Sequence, residues 1–288
     1  MQHRAAPAQR PTDGGGVRAL LLAALLLTDG AAASAAQRIV SLAPHITEIL
    51  FAIGAGEQLV GADEYSDYPA AALTVPRVSN YAGANYEQIV ALRPDLVIGW
   101  QSGNGEKMVA PLRQLGIAVV MVEARQLEDI PATVEQLAQL TGREAAGAQL
   151  AAQLRQRLAA LADRYRDAAP VRFFYQIWDQ PLITYNGEHL LSTALARCGG
   201  VNIFAKARPL VPYVSAEAVL LADPQVMFSA GRHPADNASL AAWRRWPTLA
   251  AVSGGHLYGI AADLTARHGP RFIGGAEQLC ELLDRARG

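Results

Sequence analysis

The run NYEQIVALRPDLVIGW, Asn85 to Trp100, returns without a gap as SAEAVLLADPQVMFSA, Ser215 to Ala230. Asn85 corresponds to Ser215, Glu87 to Glu217 and Pro94 to Pro224, and an apolar run follows each proline. Each copy spells a capped short helix, a break and a buried strand. Asn and Ser are favoured at a helix N-cap, and an acid in the first turn suits the positive end of the helix dipole. Proline cannot continue the helix and biases the residue before it towards extended backbone. DLVIGW and QVMFSA then have the composition of interior strands in a parallel sheet. One αβ unit looks much like another, but cap, acid, proline and strand repeated in a single register indicate a duplicated architecture.

The rest of the chain agrees. RIVSLAP reads as a strand, HITEILFAIGAG as a helix stopped by glycines, EQLVGADEYSDYP as a strand and an aromatic turn, and IAVVMVEA as another strand. Strands alternating with helices describe a parallel αβ lobe. Beyond Asp129 the texture turns to Ala, Leu, Gln and Arg, strong helix formers. Leu150, Leu154, Leu158, Leu161 and Tyr165 recur at steps of three and four, the apolar face of a long helix of roughly 35 Å. VRFFYQIW opens a second lobe, GEHLLSTALARCGG repeats the helix with a glycine stop, and PRFIGGAEQLCELLDRAR closes the chain as a helix. The expected fold is α/β: two Rossmann-like αβ lobes joined by a single long α-helix, with a ligand cleft between them. Its parts are a signal peptide at 1–36, an N-terminal αβ lobe at 37–128, a linking helix region at 129–168 and a C-terminal αβ lobe at 169–288.

Composition narrows the function classes. About half of the 288 residues are apolar and 18% are charged, which suits a folded chain with a sizeable core. A net charge of −1 leaves no electrostatic footprint for nucleic acid, and no polybasic segment addresses a membrane surface. Arg4, Arg10 and Arg18 precede the apolar run ALLLAALLLT, and AAASAA supplies small residues for cleavage near Ala33 or Ala36. That is a secretory signal, the alternative being an N-terminal anchor helix, and it directs the mature chain to the periplasm. The two cysteines, Cys198 and Cys280, are in an exported chain more suited to a disulfide than to a metal site or a nucleophile; two free buried thiols are the alternative.

Ligands of parallel αβ lobes sit beyond the carboxyl ends of the strands. The residues there are Tyr65, Tyr68, Tyr81 and Trp100 in the first half, and Trp178, Tyr185, Tyr213 and Asp263 in the second. Aromatics make up 7% of the chain, so their recurrence at strand ends points to a large, flat, partly apolar ligand. Neither a nucleophile elbow nor a phosphate loop occurs, and no zinc-protease or dinucleotide motif does. Histidines 45, 189, 233, 256 and 268 stand singly; His45, Asp263 and His268 are the set that could meet around a metal, and no metal is expected. Glu87 and Glu217 hold matching first-turn positions, a pair suited to two basic sockets on a two-fold symmetric partner.

From RIVSLAP to the C-terminus the chain resembles the periplasmic cobalamin-binding proteins of ABC importers, within the helix-linked (class III) substrate-binding proteins. SLAPHITEILFAIG and RPDLVI are common to the wider class, which includes siderophore and haem binders, whereas YSDYP, WQSGN and CGGVNIF with the later cysteine are closer to cobalamin binders. The resemblance implies that Tyr65, Tyr81 and Trp100 face the ligand, that Asp263 lies near the corrin's amide side chains, and that Cys198 and Cys280 pair. It also implies that Glu87 and Glu217 dock on arginines of an ABC transporter permease dimer. Tyr81 and Leu264 stand where tryptophan is typical, and Ile177 and Val211 where aromatics are expected, with Trp178 and Tyr213 beside them. The expected protein is a monomer that binds and delivers cobalamin or a related corrinoid, with no cofactor and no catalysis. A ferric siderophore or haem binder of the same fold is the nearest alternative, with Arg208, Arg267 and Arg271 as its candidate anion receptors. An exported hydrolase using Ser102, His268 and Asp263 is the alternative from another class.

Overall fold

The computed structural model describes residues 35–288, so the expected signal peptide lies outside the described residues apart from its last two positions. Six strands form the first sheet: β1 (Ile39–Ser41), β2 (Leu59–Asp63), β3 (Arg77–Asn80), β4 (Gly83–Ala84), β5 (Leu96–Trp100) and β6 (Val119–Val122). Their spatial order is β4-β3-β2-β1-β5-β6, parallel except where β4 turns back on β3. Helices α1 (Pro44–Ala52), α2 (Tyr86–Ala91) and α3 (Gln101–Gln114) complete the lobe. The linking region holds α4 (Asp129–Thr141) and then the long helix α5 (Glu144–Arg164), which buries Leu154 and Leu161 of the expected apolar face. Gly142 separates them at φ 68°, a left-handed turn that glycine adopts at little steric cost. The two helices then lie so close that a Cβ on Gly147 would meet Ala138 Cβ at 2.2 Å.

The second lobe holds β7 (Val171–Gln176), β8 (Trp178–Asp179), β9 (Leu182–Ile183), β10 (Gly200–Asn202), β11 (Val226–Gly231) and β12 (Leu257–Ala261). Its helices are α6 (Leu190–Ala196), α7 (Ala216–Ala222), α8 (Ala250–Ser253), α9 (Ala262–Thr265) and α10 (Pro270–Asp284). The main sheet runs β10-β7-β11-β12, all parallel, and matches β2-β1-β5-β6 of the first lobe. One apolar core continues from Ile39 and Ile49 through Leu154 and Leu161 of α5 to Phe173, Phe228 and Phe272.

The repeated motif folds alike in both lobes. Asn85 Oδ1 accepts the Gln88 N–H at 3.1 Å and Ser215 Oγ the Ala218 N–H at 3.2 Å, each an N-cap. The residue before each proline departs from the extended geometry expected of it: Arg93 has φ 47° and Asp223 φ 44°. An arginine in the matching place of each lobe supports this turn. Arg38 donates to the Leu92 and Arg93 carbonyls, and Arg172 to the Asp223 carbonyl, bringing positive charge to orphan acceptors at the helix end. The duplication therefore extends to how each short helix is stopped.

Two sets of side chains join the lobes. Glu48 on α1, 4% exposed, accepts from Arg267 at 3.0 Å and Arg271 at 3.2 Å. Arg267 also reaches Asp67 at 2.6 Å, while Arg271 bonds Asp263 and lies over the Tyr68 ring at 4.1 Å. Beside this network Trp100 packs edge-on against His45 and His268, with 5.3 Å between centroids in each pair. His268 reaches His189 at 5.6 Å, and His189 stacks on Tyr185 at 3.6 Å.

All three histidines are buried. Burial, with the nearby His268 and Arg267, pushes His45 down to about 3; burial and His268 push His189 down to about 3 as well. A histidine whose folded pKa lies below its unfolded value of about 6.5 is protonated first in the unfolded chain. Its contribution is complete above that value and is lost as pH falls from there towards about 3. Urea midpoints should fall between pH 7 and pH 4.5, with a slope of up to about 1.4 kcal/mol per pH unit for each histidine, and His45→Asn should flatten the profile. Cys198 and Cys280 form a disulfide that fixes the end of α6 to α10 across a sequence separation of 82. On the chain-entropy estimate for such a loop, reduction should lower unfolding stability by about 4 kcal/mol, read from urea melts with and without dithiothreitol.

Candidate functional site

In each main sheet the strand order reverses beside the first strand, between β1 and β5 and between β7 and β11, which is where open αβ sheets hold ligands. The carboxyl ends of the two sheets face each other, as the Glu48–Arg267 and Trp100–His268 contacts require.

The WQSGN run builds the first side of the cleft. Asn104 accepts the Trp100 N–H at 2.6 Å and donates to the Leu42 carbonyl at 3.0 Å, tying the end of β5 to the end of β1. Gly103 lets the indole lie against α3, since a Cβ there would meet the Trp100 ring at 2.0 Å. Glu123 accepts from the indole Nε1 at 3.2 Å and from the Ser102 hydroxyl at 2.5 Å, fixing the ring's orientation. Tyr65, Tyr81 and Trp100 come together around a recess of about 160 Å³ that Asp63 and Met108 also line. Tyr65 is 51% and Tyr81 88% exposed, so neither ring is spent on core packing.

YSDYP builds the adjoining rim. Asp63 accepts the Tyr65 N–H at 3.0 Å, Ser66 shares a hydrogen bond with Thr47 at 2.9 Å, and Asp67 and Tyr68 receive the two arginines of the second lobe. The Arg267 guanidinium holds the Asp67 carboxyl below the usual range.

On the second lobe Trp178 pairs with Ile183 in the β8–β9 hairpin, and Ile183 bridges to Tyr213. Residues directly opposite in antiparallel pairing share a face, so Trp178, Ile183 and Tyr213 form one row. Trp178 is 59% and Tyr213 73% exposed, whereas Ile177 packs against the core. The alternation along the strand thus puts the aromatic outward at Trp178 rather than at the neighbouring position.

Other candidates are used differently. Tyr185 is half-buried and stacked on His189 instead of offering a free ring. Asp263 is committed to Arg271, and Arg267 and Arg271 are held by Glu48 and Asp67. Ser102 bonds Glu123, not His268, so the hydrolase constellation does not assemble. His45 and His268 approach each other, but among the described residues no three His, Cys, Asp or Glu are grouped to hold a metal ion. Glu87 and Glu217 are exposed on the first turns of α2 and α7. Among the described residues no helix is long and apolar enough to cross a membrane.

Sequence reasoning allowed His45 and His268 to meet but missed His189 and the His45–His189–His268 chain, which closes only through contacts far apart in sequence. It also passed over Glu48 and Asp63. The signal for Asp63 was in view, an acid at the end of an apolar strand before an aromatic turn.

The model of the periplasmic binding protein family matches residues 39–264. A vitamin B12-binding protein of Vibrio cholerae serotype O1 is 40% identical over 253 residues, 88% of this chain and 91% of that one. The crystal structure of the periplasmic vitamin B12 binding protein BtuF of Vibrio cholerae is similar at TM-score 0.81 and 39% identity, covering 88% of this chain and 98% of that one. A periplasmic heme-binding protein from Roseiflexus shares the fold at TM-score 0.77 and 24% identity, over 88% of this chain and 99% of that one. With two lobes whose sheet ends meet at a cleft, and with a family match across both of them, the chain belongs to the periplasmic binding protein family.

Proposed function

We propose that this chain is a periplasmic substrate-binding protein that captures cobalamin or a related corrinoid between its lobes and delivers it to an ABC permease dimer. The observation that carries the reading is the pair of aromatic groups beyond the sheet ends, exposed Tyr65 and Tyr81 with half-buried Trp100 in one lobe and exposed Trp178 with Tyr213 in the other. Such rings suit the broad apolar face of a macrocycle, with hydroxyls left for its polar edge. The Vibrio cholerae relative, named for vitamin B12, supports the ligand class. The reading includes a monomer exported to the periplasm after loss of residues 1–36, with lobes at 37–128 and 169–288 and the link at 129–168. The chain binds and releases without catalysing a reaction.

The arginines weigh against a haem or siderophore ligand. Anionic ligands of that kind call for several cations in the cleft, and of the three candidates Arg267 and Arg271 are neutralised by Glu48, Asp67 and Asp263, which leaves exposed Arg208. For delivery, Glu87 and Glu217 are the contacts offered to permease arginines. The Glu217 backbone N–H and the Ser215 hydroxyl hold the Glu217 carboxyl below the usual range, so it stays ionised at neutral pH.

Titration of the purified mature chain with cyanocobalamin should give saturable binding, and haemin should bind far more weakly; saturation by haemin alone would exclude the corrinoid reading. Trp100→Ala removes about 2 kcal/mol of aromatic contact and should weaken cyanocobalamin binding about 30-fold while leaving the fold intact by circular dichroism. The Glu87→Arg/Glu217→Arg double variant should bind cyanocobalamin as the parent does but fail to support uptake in cells that depend on it. Normal uptake by that variant would remove the docking role.

A further inference from the structure

Asp63 is a buried carboxyl that the fold leaves without a cation. It lies at the carboxyl end of β2, is 6% exposed and lines the recess formed by Tyr65, Tyr81 and Trp100. The hydrogen-bond partners of its carboxyl are neutral, the Tyr65 N–H at 3.0 Å and the Ser79 hydroxyl at a long 3.3 Å, while Arg77 donates to its backbone carbonyl at 3.2 Å and the neighbouring Glu64 adds a like charge. Among the described residues no Lys, Arg or His makes a salt bridge with it, whereas buried Glu48 has two arginines and Asp263 has one. Burial pushes the Asp63 carboxyl above the ordinary carboxylate range, in spite of those two hydrogen bonds. A buried acid so weakly compensated is costly, and in a cleft it marks a place where a ligand supplies the missing donor.

The Tyr65 and Tyr81 hydroxyls belong to exposed rings, whereas the amide oxygens of the recess are already engaged. Asn104 has both ends of its amide bonded within the lobe, and Asn80 Oδ1 accepts the Ala82 N–H. A carboxylate has about four acceptor sites, so Asp63 keeps capacity towards the recess.

Resting on the corrinoid reading above, we infer that Asp63 selects the ligand by its edge, accepting a hydrogen bond from a peripheral primary amide of the corrin and repelling a carboxylate placed there. The aromatic rings accept any flat macrocycle of suitable size. Asp63 separates an edge of amides, as cobalamin carries, from an edge of propionates, as haem carries. A turn-capping role alone would need only the acceptor to the Tyr65 N–H, which asparagine also provides.

The experiment titrates the mature protein with cyanocobalamin and with each of its monocarboxylic acid isomers, in which one propionamide is hydrolysed to propionate. The parent should bind at least one isomer about tenfold more weakly than cyanocobalamin, and Asp63→Asn should bring the two within about twofold. Asp63→Ser serves the same comparison if the asparagine variant does not fold. A parent that binds every isomer as well as cobalamin, or a variant that keeps the parent's preference, overturns the role of Asp63 alone. A parent that binds no cobalamin at all overturns the corrinoid reading and this inference with it.

Discussion

A carboxylate withdrawn from water is costly unless it is paired, and Glu48 finds both of its cations in the opposite lobe. Its side chain is 3% exposed, and those of Arg267 and Arg271 are 14% and 25% exposed, so solvent screens the group poorly. Removing the arginines while the lobes stay closed would strand a buried charge, at a cost of about 3–5 kcal/mol for a broken buried pair. Because Arg267 and Arg271 are occupied in holding the lobes together, recognition in the cleft falls to rings, neutral donors and acids. The cleft's chemistry follows from what its floor has already consumed.

Much of this architecture was legible along the chain because its signals are local. The N-caps Asn85 and Ser215, the acids two residues on, Pro94 and Pro224 and the apolar strands all act within about four residues, and the αβ fold read from them stands, as does the family that the longer motifs resemble. Local rules failed where a distant group intervened. Arg93 and Asp223 take left-handed backbone before proline because Arg38 and Arg172, 55 and 51 positions away, bond the carbonyls there. The long helix read from its leucines is α5, and Gly142 sets it off from α4 before it.

The cleft was only half legible. Strand-end aromatics can be picked out once strands are placed, and Tyr65, Tyr81 and Trp100 do surround one recess. What those residues share with their neighbours cannot be read linearly: Trp100 meets His268 across 168 positions, and Glu48 meets Arg267 across 219. A histidine that looks solitary in the sequence is, in the folded chain, part of a buried row spanning both lobes. Asp263 illustrates the same limit, since its partner Arg271 lies only 8 positions away but on another helix.

The close seating of α4 on α5, with Gly147 against Ala138, turns the connection into a doubled beam. Two rods fastened along their length resist flexure far more than either does singly, and α5 is further riveted to α10 by Arg157 and Glu277. A link braced in this way opposes large-angle clamshell bending. A cleft held on such a link is shaped before a guest arrives, so little ordering is left to be done on binding.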